Sequence, residues 1–137
     1  MSANSPDAVR RIDHVAVAAH DADRAARWYE ESLGLRRVHD EVVEDAGVRL
    51  VWLAAEEDLT GAGFQIVQPL RPGPVADHLA AKGEGLHHVC FAVDNAAEFL
   101  RTRGESADQV FTGGYGLPCA FLETAPPGVV VEIVEQD

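Results

Sequence analysis

Two short stretches decide the fold of this chain: residues 12–18, IDHVAVA, and residues 86–92, LHHVCFA. Each is a short apolar run rich in β-branched and small residues, which predicts a strand. Superposing the two places His14 on His88, an offset of 74 residues (88 − 14). The chain therefore contains an internal repeat, and the rest of the sequence can be compared half against half.

A helix follows each of these strands. The turns at residues 20–21 and 94–95 carry acid or amide side chains that suit a helix N-cap. Apolar residues then recur at helical spacing, and Gly34 and Gly104 stand where a glycine ends a helix. Both halves are thus predicted to begin with a strand and a helix.

The match continues through two further segments. Residues 47–53, GVRLVWL, resemble residues 116–122, GLPCAFL, and residues 64–68, FQIVQ, resemble residues 131–135, VEIVE. Each half therefore reads β-α-β-β-β, and two such units would pair their sheets into one curved, mixed half-barrel of the α+β class around a groove. The predicted organisation is a disordered tail at 1–10, a first module at 11–70, a linker and short helix at 71–82, and a second module at 83–137, all in one compact domain.

Composition excludes several classes of function. The 137 residues suit one domain, and 11 basic against 23 acidic residues give a net charge of −12. That charge repels nucleic acid and anionic lipid. No apolar run reaches the about 18–20 residues of a membrane span, and the first ten residues lack a secretory signal. We expect a cytoplasmic protein that binds a small molecule, with no nucleic-acid or membrane partner.

The repeat places four ligand-competent side chains at equivalent positions. His14 and His88 lie on the first strands, and Gln65 and Glu132 lie on the last. Equivalent strand positions in two pseudo-symmetric units would meet across a shared groove, because side chains alternate faces. One such histidine is ordinarily structural or exposed, but two symmetry-related pairs favour a site for a divalent first-row metal with coordination positions open for substrate.

The groove also has a predicted lining. Leu50 and Trp52 of the first half fall on the same alternating positions as Cys119 and Phe121 of the second. We expect these four side chains to form the walls or floor of a substrate pocket.

Other candidates have more ordinary alternatives. His39 and Glu41 lie on the predicted second strand, where either is a possible base or part of a solvated strand edge. Cys90 is better explained as a small core residue than as a nucleophile. Trp28 and Tyr29 occur at helical spacing, which predicts a core position for both. His87 precedes His88 on the opposite face and is expected to be structural or exposed.

At these residues the sequence resembles the vicinal oxygen chelate superfamily, which includes glyoxalases, bleomycin resistance proteins and dioxygenases, and most closely its methylmalonyl-CoA epimerases. The resemblance runs from about residue 12 to residue 134, and its most specific part is GEGLHH at 83–88. The family's metal ligands fall on His14, Gln65, His88 and Glu132.

The resemblance implies a homodimer that epimerises a methylmalonyl-CoA-like acyl thioester with a divalent metal ion. Cobalt is the expected ion, with manganese, nickel, zinc or iron(II) as alternatives. The metal would chelate the thioester carbonyl and the carboxylate and would stabilise an enolate. One group would remove the α-proton and another would return it on the opposite face. Glu132 and His39 are the candidate catalytic residues.

Two positions depart from the epimerase pattern. Some epimerases carry a glutamate base where this chain has Leu50, although other members have an aliphatic residue there. Residues 123–128, ETAPPG, replace a usual His-Pro-Lys stretch, which leaves fewer evident partners for the CoA phosphates.

Three alternative functions therefore stay open. His14, His88 and Glu132 alone would form the facial triad of an iron(II) dioxygenase. A glyoxalase-type isomerase would keep the metal but change the substrate. A non-catalytic resistance protein would only hold a small molecule in a groove lined by Trp52 and Phe121.

Overall fold

The structure is a computed structural model that describes residues 8–55 and 61–136. Both predicted β-α-β-β-β sequences are present in it. Residues 1–7 of the predicted tail lie outside the described residues, and the backbone N–H of Arg10 donates to the carbonyl of Ala92 at 2.8 Å. In chain order the elements are β1 (Arg11–Ala18), α1 (Ala22–Leu33), β2 (Arg36–Val43), β3 (Val48–Ala54), β4 (Gly63–Pro69), α2 (Pro74–Lys82), β5 (Gly85–Val93), α3 (Ala96–Thr102), β6 (Phe111–Thr112), β7 (Pro118–Phe121) and β8 (Val131–Glu135).

The chain divides into two compact units, and the first comprises residues 14–87. Its strands follow the order β2-β3-β4-β1, with β1 and β4 parallel and the other pairs antiparallel. One face packs small residues of α1 against Val51, Leu53 and Ile66. The opposite face packs Leu50 and Trp52 against α2. The sheet of this unit therefore has one face that packs against α1 and an opposite face that packs against α2.

The second unit comprises the described residues of 1–13 and 88–137. Its strands follow the order β5-β8-β7-β6, again with one parallel pair, β5 with β8, and antiparallel pairs beyond it. Phe99 and Leu100 of α3 pack against Ile133 on one face, and Cys90 and Cys119 lie together on the other. The two units thus repeat one arrangement. The module boundaries at 11–70 and 83–137 stay predictions.

The predicted helix signals are confirmed. The side chain of Asp21 accepts two backbone N–H groups at the start of α1, and that of Asn95 accepts one at the start of α3. Gly34 and Gly104 follow the helices with φ of 71° and 74°, a left-handed conformation that glycine adopts without strain.

The N-termini of α1 and α3 each have a second cap, which comes from a strand of the same unit. The N–H of Ala22 donates to Gln68 Oε1 at 2.8 Å, and the N–H of Ala96 donates to Glu135 Oε1 at 3.0 Å. These acceptors follow Gln65 and Glu132 by three residues in their strands. Each last strand therefore holds the N-terminus of the helix in its own unit.

One core prediction is wrong. Trp28 is 57% exposed and touches Tyr29 edge-on, whereas Tyr29 packs on Phe64 in the core. Ala22 and Ala26 occupy the buried stripe of α1. Trp28 stands two residues after Ala26, roughly 200° around the helix, and so points away from the sheet.

Ion pairs fasten α1 to the neighbouring strands. The carboxylate of Asp23 lies 2.9 Å from Arg49 and 2.7 Å from Arg37, and Arg49 also contacts Asp40 at 2.7 Å. Hydrogen bonds from these guanidinium groups lower the pKa of Asp23, and those from Arg49 lower the pKa of Asp40. None of the helices in the described ranges is long and apolar enough to cross a membrane.

Candidate functional site

His14, Gln65 and Trp52 share one face of the first unit. The β1–β4 register pairs Ala16 with Gln65, and the β3–β4 register pairs Trp52 with Gln65. Residues directly opposite each other share a face, and alternation adds His14 to the face of Ala16. The ring of His14 meets that of Trp52 edge-on with centroids 4.7 Å apart. This face is the one opposite α1.

The polar side chains of His14 and Gln65 are both buried in the first unit. His14 is 4% exposed and Gln65 is 3% exposed, although their neighbours on the same face include the apolar Leu50 and Val67. Burying polar groups is costly unless they bind partners. Polar side chains buried among apolar neighbours are uncommon, so the pair is a candidate for a functional site.

The second unit carries the corresponding pair. The β5–β8 register sets Cys90 opposite Glu132, which puts His88 and Glu132 on one face. His88 Nε2 and Glu132 Oε1 lie 3.1 Å apart, and both residues are 7% exposed. Phe121 pairs with Glu132 in the sheet and meets the ring of His88 edge-on at 5.6 Å, as Trp52 does with Gln65 and His14.

Each unit therefore presents a histidine, an amide or carboxylate, and an aromatic ring on one face. The structure brings His88 and Glu132 into contact and sets His14 and Gln65 on a common buried face. Two imidazoles, a carboxylate and an amide oxygen form a donor set that suits a divalent first-row metal ion. The residues present fit such an ion, and their joint role as its ligands stays a prediction.

The remaining pocket predictions can be placed as well. Leu50 and Cys119 are buried on these same faces, whereas Phe121 is half-exposed at 37%. Cys90 is fully buried, and that burial raises the pKa of its thiol. A neutral, buried thiol suits a core residue, as predicted, and not a nucleophile.

His87 has a structural environment. It is buried, and its ring meets that of His78 on α2 edge-on, with centroids 4.8 Å apart. It precedes His88 on β5 and so points to the other side of that strand.

His39 and Glu41 form a hydrogen-bonded pair that the sequence did not reveal as a pair. His39 Nε2 and Glu41 Oε2 lie 2.6 Å apart, and their side chains are only 32% and 21% exposed. The β2–β3 register sets His39 opposite Trp52 and Glu41 opposite Leu50. Their spacing of two residues on a strand was the signal that could have linked them.

Comparisons with known proteins agree with this arrangement. The sequence model of the Glyoxalase/Bleomycin resistance protein/Dioxygenase superfamily matches residues 13–110. The mitochondrial methylmalonyl-CoA epimerase of Homo sapiens is 30% identical over 133 residues, which cover 92% of this chain and 73% of that protein.

Two solved structures extend the likeness to the fold. Methylmalonyl-CoA epimerase from Mycobacterium tuberculosis superposes with a TM-score of 0.83 at 29% identity, covering 100% of this chain and 93% of that one. A methylmalonyl-CoA epimerase in complex with methylmalonyl-CoA and NH4+ superposes with a TM-score of 0.78 at 32% identity, covering 93% and 94%. The predicted α+β fold class is confirmed, and each unit contains a mixed sheet of four strands. The chain belongs to the Glyoxalase/Bleomycin resistance protein/Dioxygenase superfamily, and the named relatives it resembles there are epimerases.

Proposed function

We propose that this protein is a metal-dependent epimerase of a methylmalonyl-CoA-like thioester. The observation that carries the proposal is the buried contact between His88 and Glu132, repeated in position by the buried His14 and Gln65. Support for the substrate comes from the relatives, which include a structure that holds methylmalonyl-CoA. We also propose a homodimer and a cytoplasmic location, and light scattering after gel filtration tests the first.

His14, Gln65, His88 and Glu132 would hold the divalent ion, for which cobalt is our first candidate. When bound, the ion would supply Lewis-acid stabilisation of negative charge on the substrate's carbonyl oxygens. The set contains one carboxylate, so its charge offsets only half of the charge of a divalent cation.

The chain's own contribution begins with orientation. The indole of Trp52 meets the His14 imidazole at an interplanar angle of 76°, and the ring of Phe121 meets His88 at 86°. Such edge contacts restrict rotation of both imidazoles. Positioning of this kind lowers the entropy that must be lost when a substrate binds.

The apolar residues of the same face exclude water. Leu50, Trp52 and Val67 are buried there together. A dry surface strengthens interactions between charged groups, because the local dielectric is low. Attraction between a bound divalent ion and negative charge on the substrate would therefore be stronger at this face than in water.

Epimerisation moves one proton from the carbon between the two carbonyl groups and returns one on the opposite face. A positioned side chain is needed on each face. We assign one of these transfers to the carboxylate of Glu132, whose contact with His88 fixes its position.

The decisive experiment combines metal analysis with proton exchange. Protein purified without added metal should contain about one divalent ion per chain by elemental analysis. With cobalt present it should exchange the α-proton of methylmalonyl-CoA for deuterium in D2O, and after chelation it should not. Absence of exchange in the metal-loaded protein would reject the epimerase, and oxygen uptake by an iron(II)-loaded sample would favour a dioxygenase instead.

A further inference from the structure

One proton-transfer group is not enough for an epimerase, and the first unit offers a second. On its face opposite α1, the ionisable strand residues among those the structure describes are His14, Arg36, His39 and Glu41. His14 is assigned to the ligand set and the guanidinium of Arg36 stays protonated, so His39 and Glu41 are the candidates for proton transfer.

The register fixes where this pair lies. Glu41 is directly opposite Leu50, and His39 is directly opposite Trp52. Trp52 is in turn opposite Gln65. Neighbouring strands are about 4.8 Å apart, so the backbone of His39 is roughly 10 Å from that of Gln65, with Trp52 between them. The pair therefore lies on the same face as Gln65, two strands away from it.

Side chains alternate between the two faces along β2, so His39 and Glu41 lie on the face opposite the ion pairs of α1. Asp40, between the two, belongs to the ion pairs on the α1 side. Val43, two residues after Glu41, packs with the buried cluster of Leu50 and Trp52. His39 and Glu41 therefore point to the apolar face and are held by one another at 2.6 Å.

We propose that the His39–Glu41 pair is the catalytic acid–base group for one face of the substrate, with Glu132 serving the other. This proposal rests on the proposed epimerase function. In the forward step the substrate C–H bond breaks, and its electron pair delocalises onto the carbonyl oxygen. The proton is taken up by the pair and shared between the imidazole and the carboxylate. For inversion, Glu132 in its protonated form would give its proton to the opposite face of the same carbon, and exchange of protons with water would then return the pair and Glu132 to their starting states.

The test uses the two stereoisomers of methylmalonyl-CoA separately, in D2O, with cobalt-loaded protein. His39→Gln and Glu41→Gln should each lower the rate of inversion by about 10²-fold or more, the usual size of an acid–base contribution. Each variant should still exchange the α-proton of one stereoisomer at close to the wild-type rate, because the group on the other face is intact. A structural role would affect both stereoisomers alike.

Two controls accompany the variants. His20→Gln and Glu44→Gln make the same chemical changes at exposed positions and should invert substrate at the wild-type rate. Metal content and the binding of 2,2-dimethylmalonyl-CoA, which has no α-proton, should match the wild type in every variant. Adding Leu50→Glu to the Glu41→Gln variant places a carboxylate opposite residue 41. The double variant should regain part of the inversion rate that Glu41→Gln loses.

The outcomes separate the two proposals. If the wild type exchanges neither stereoisomer, the epimerase function fails. If the wild type inverts substrate and the His39 and Glu41 variants do so equally fast, the acid–base role alone is wrong. Equal loss of exchange for both stereoisomers, or loss of metal or analogue binding, overturns it as well.

Discussion

Breaking the buried contact between His88 and Glu132 should affect stability unequally, depending on which partner is replaced. His88→Leu removes the imidazole and leaves the carboxylate in an environment that is only 7% exposed. Glu132→Gln keeps an acceptor 3.1 Å from His88 Nε2 and removes the negative charge. We therefore expect the histidine replacement to be the more damaging of the two.

The magnitudes follow from the burial of each group. Losing the partner of a buried charge costs about 3–5 kcal/mol, and we expect His88→Leu to lower the free energy of unfolding by that amount. Glu132→Gln exchanges a hydrogen bond to a charged acceptor, worth about 1.5–3 kcal/mol, for a neutral one worth about 0.5–1.5 kcal/mol, so we expect it to cost about 1 kcal/mol. Replacing both residues by leucine should cost less than His88→Leu alone, because no buried charge is then left behind.

Urea denaturation of chelator-treated protein measures these differences. In the wild type, a bound divalent ion at about 100 times its dissociation constant should add about 2.7 kcal/mol to the free energy of unfolding, and in His88→Leu it should add much less. A loss in Glu132→Gln that equals or exceeds the loss in His88→Leu would refute the account of the carboxylate as a buried charge held by His88.

Three further predictions concern the scaffold. Because neighbouring guanidinium groups lower the pKa of Asp23, its ion pairs stabilise the fold above about pH 4 and are lost as the pH falls below that value; Asp23→Asn should make the acid-induced fall in melting temperature shallower, and an unchanged slope would contradict this. Gln68→Ala and Glu135→Ala each remove one helix cap. Each should lower the free energy of unfolding, measured by urea denaturation, by about 1 kcal/mol, and a loss in only one variant would argue against equivalent caps. Leu53→Ala should cost about 2–5 kcal/mol, whereas Trp28→Ala, at an exposed site, should cost less than about 1 kcal/mol; thermal unfolding compares them, and the reverse order would place Trp28 in the core.

The order of elements could be predicted because its signals are local. Asp21 and Asn95 cap the helices they precede, and Gly34 ends α1 in a left-handed conformation, all by interactions within a few residues. The repeat then supplied the long-range information, because it identifies which residue of one half is equivalent to a given residue of the other. His14 and His88 could be paired in this way without any coordinates.

The orientation of side chains was harder to predict where the hydrophobic pattern fits two different orientations of the helix or strand. Trp28 and Tyr29 are adjacent, and helical periodicity alone does not say which one faces the sheet. On β2 the register shifts between Arg37 and His39, and such an irregularity changes which residues share a face. The face occupied by His39 and Glu41 therefore depends on the pairing with β3, which the sequence of β2 does not contain.

The two units agree most closely where ligands are proposed and differ at their outer strands. Cys119 of β7 stands at the position of Leu50, and its partner across the strands is Phe111, where the first unit has Glu41. Phe111 stacks on Phe121 with centroids 5.8 Å apart, so the second unit has a purely apolar pair at the place where the first has an acid. A duplicated fold that needs one proton-transfer group for each face of a substrate can take them from different strands. Under our proposals the first unit supplies one from β2, the second supplies a carboxylate from β8, and the outer strand of the second unit has only to keep the site dry.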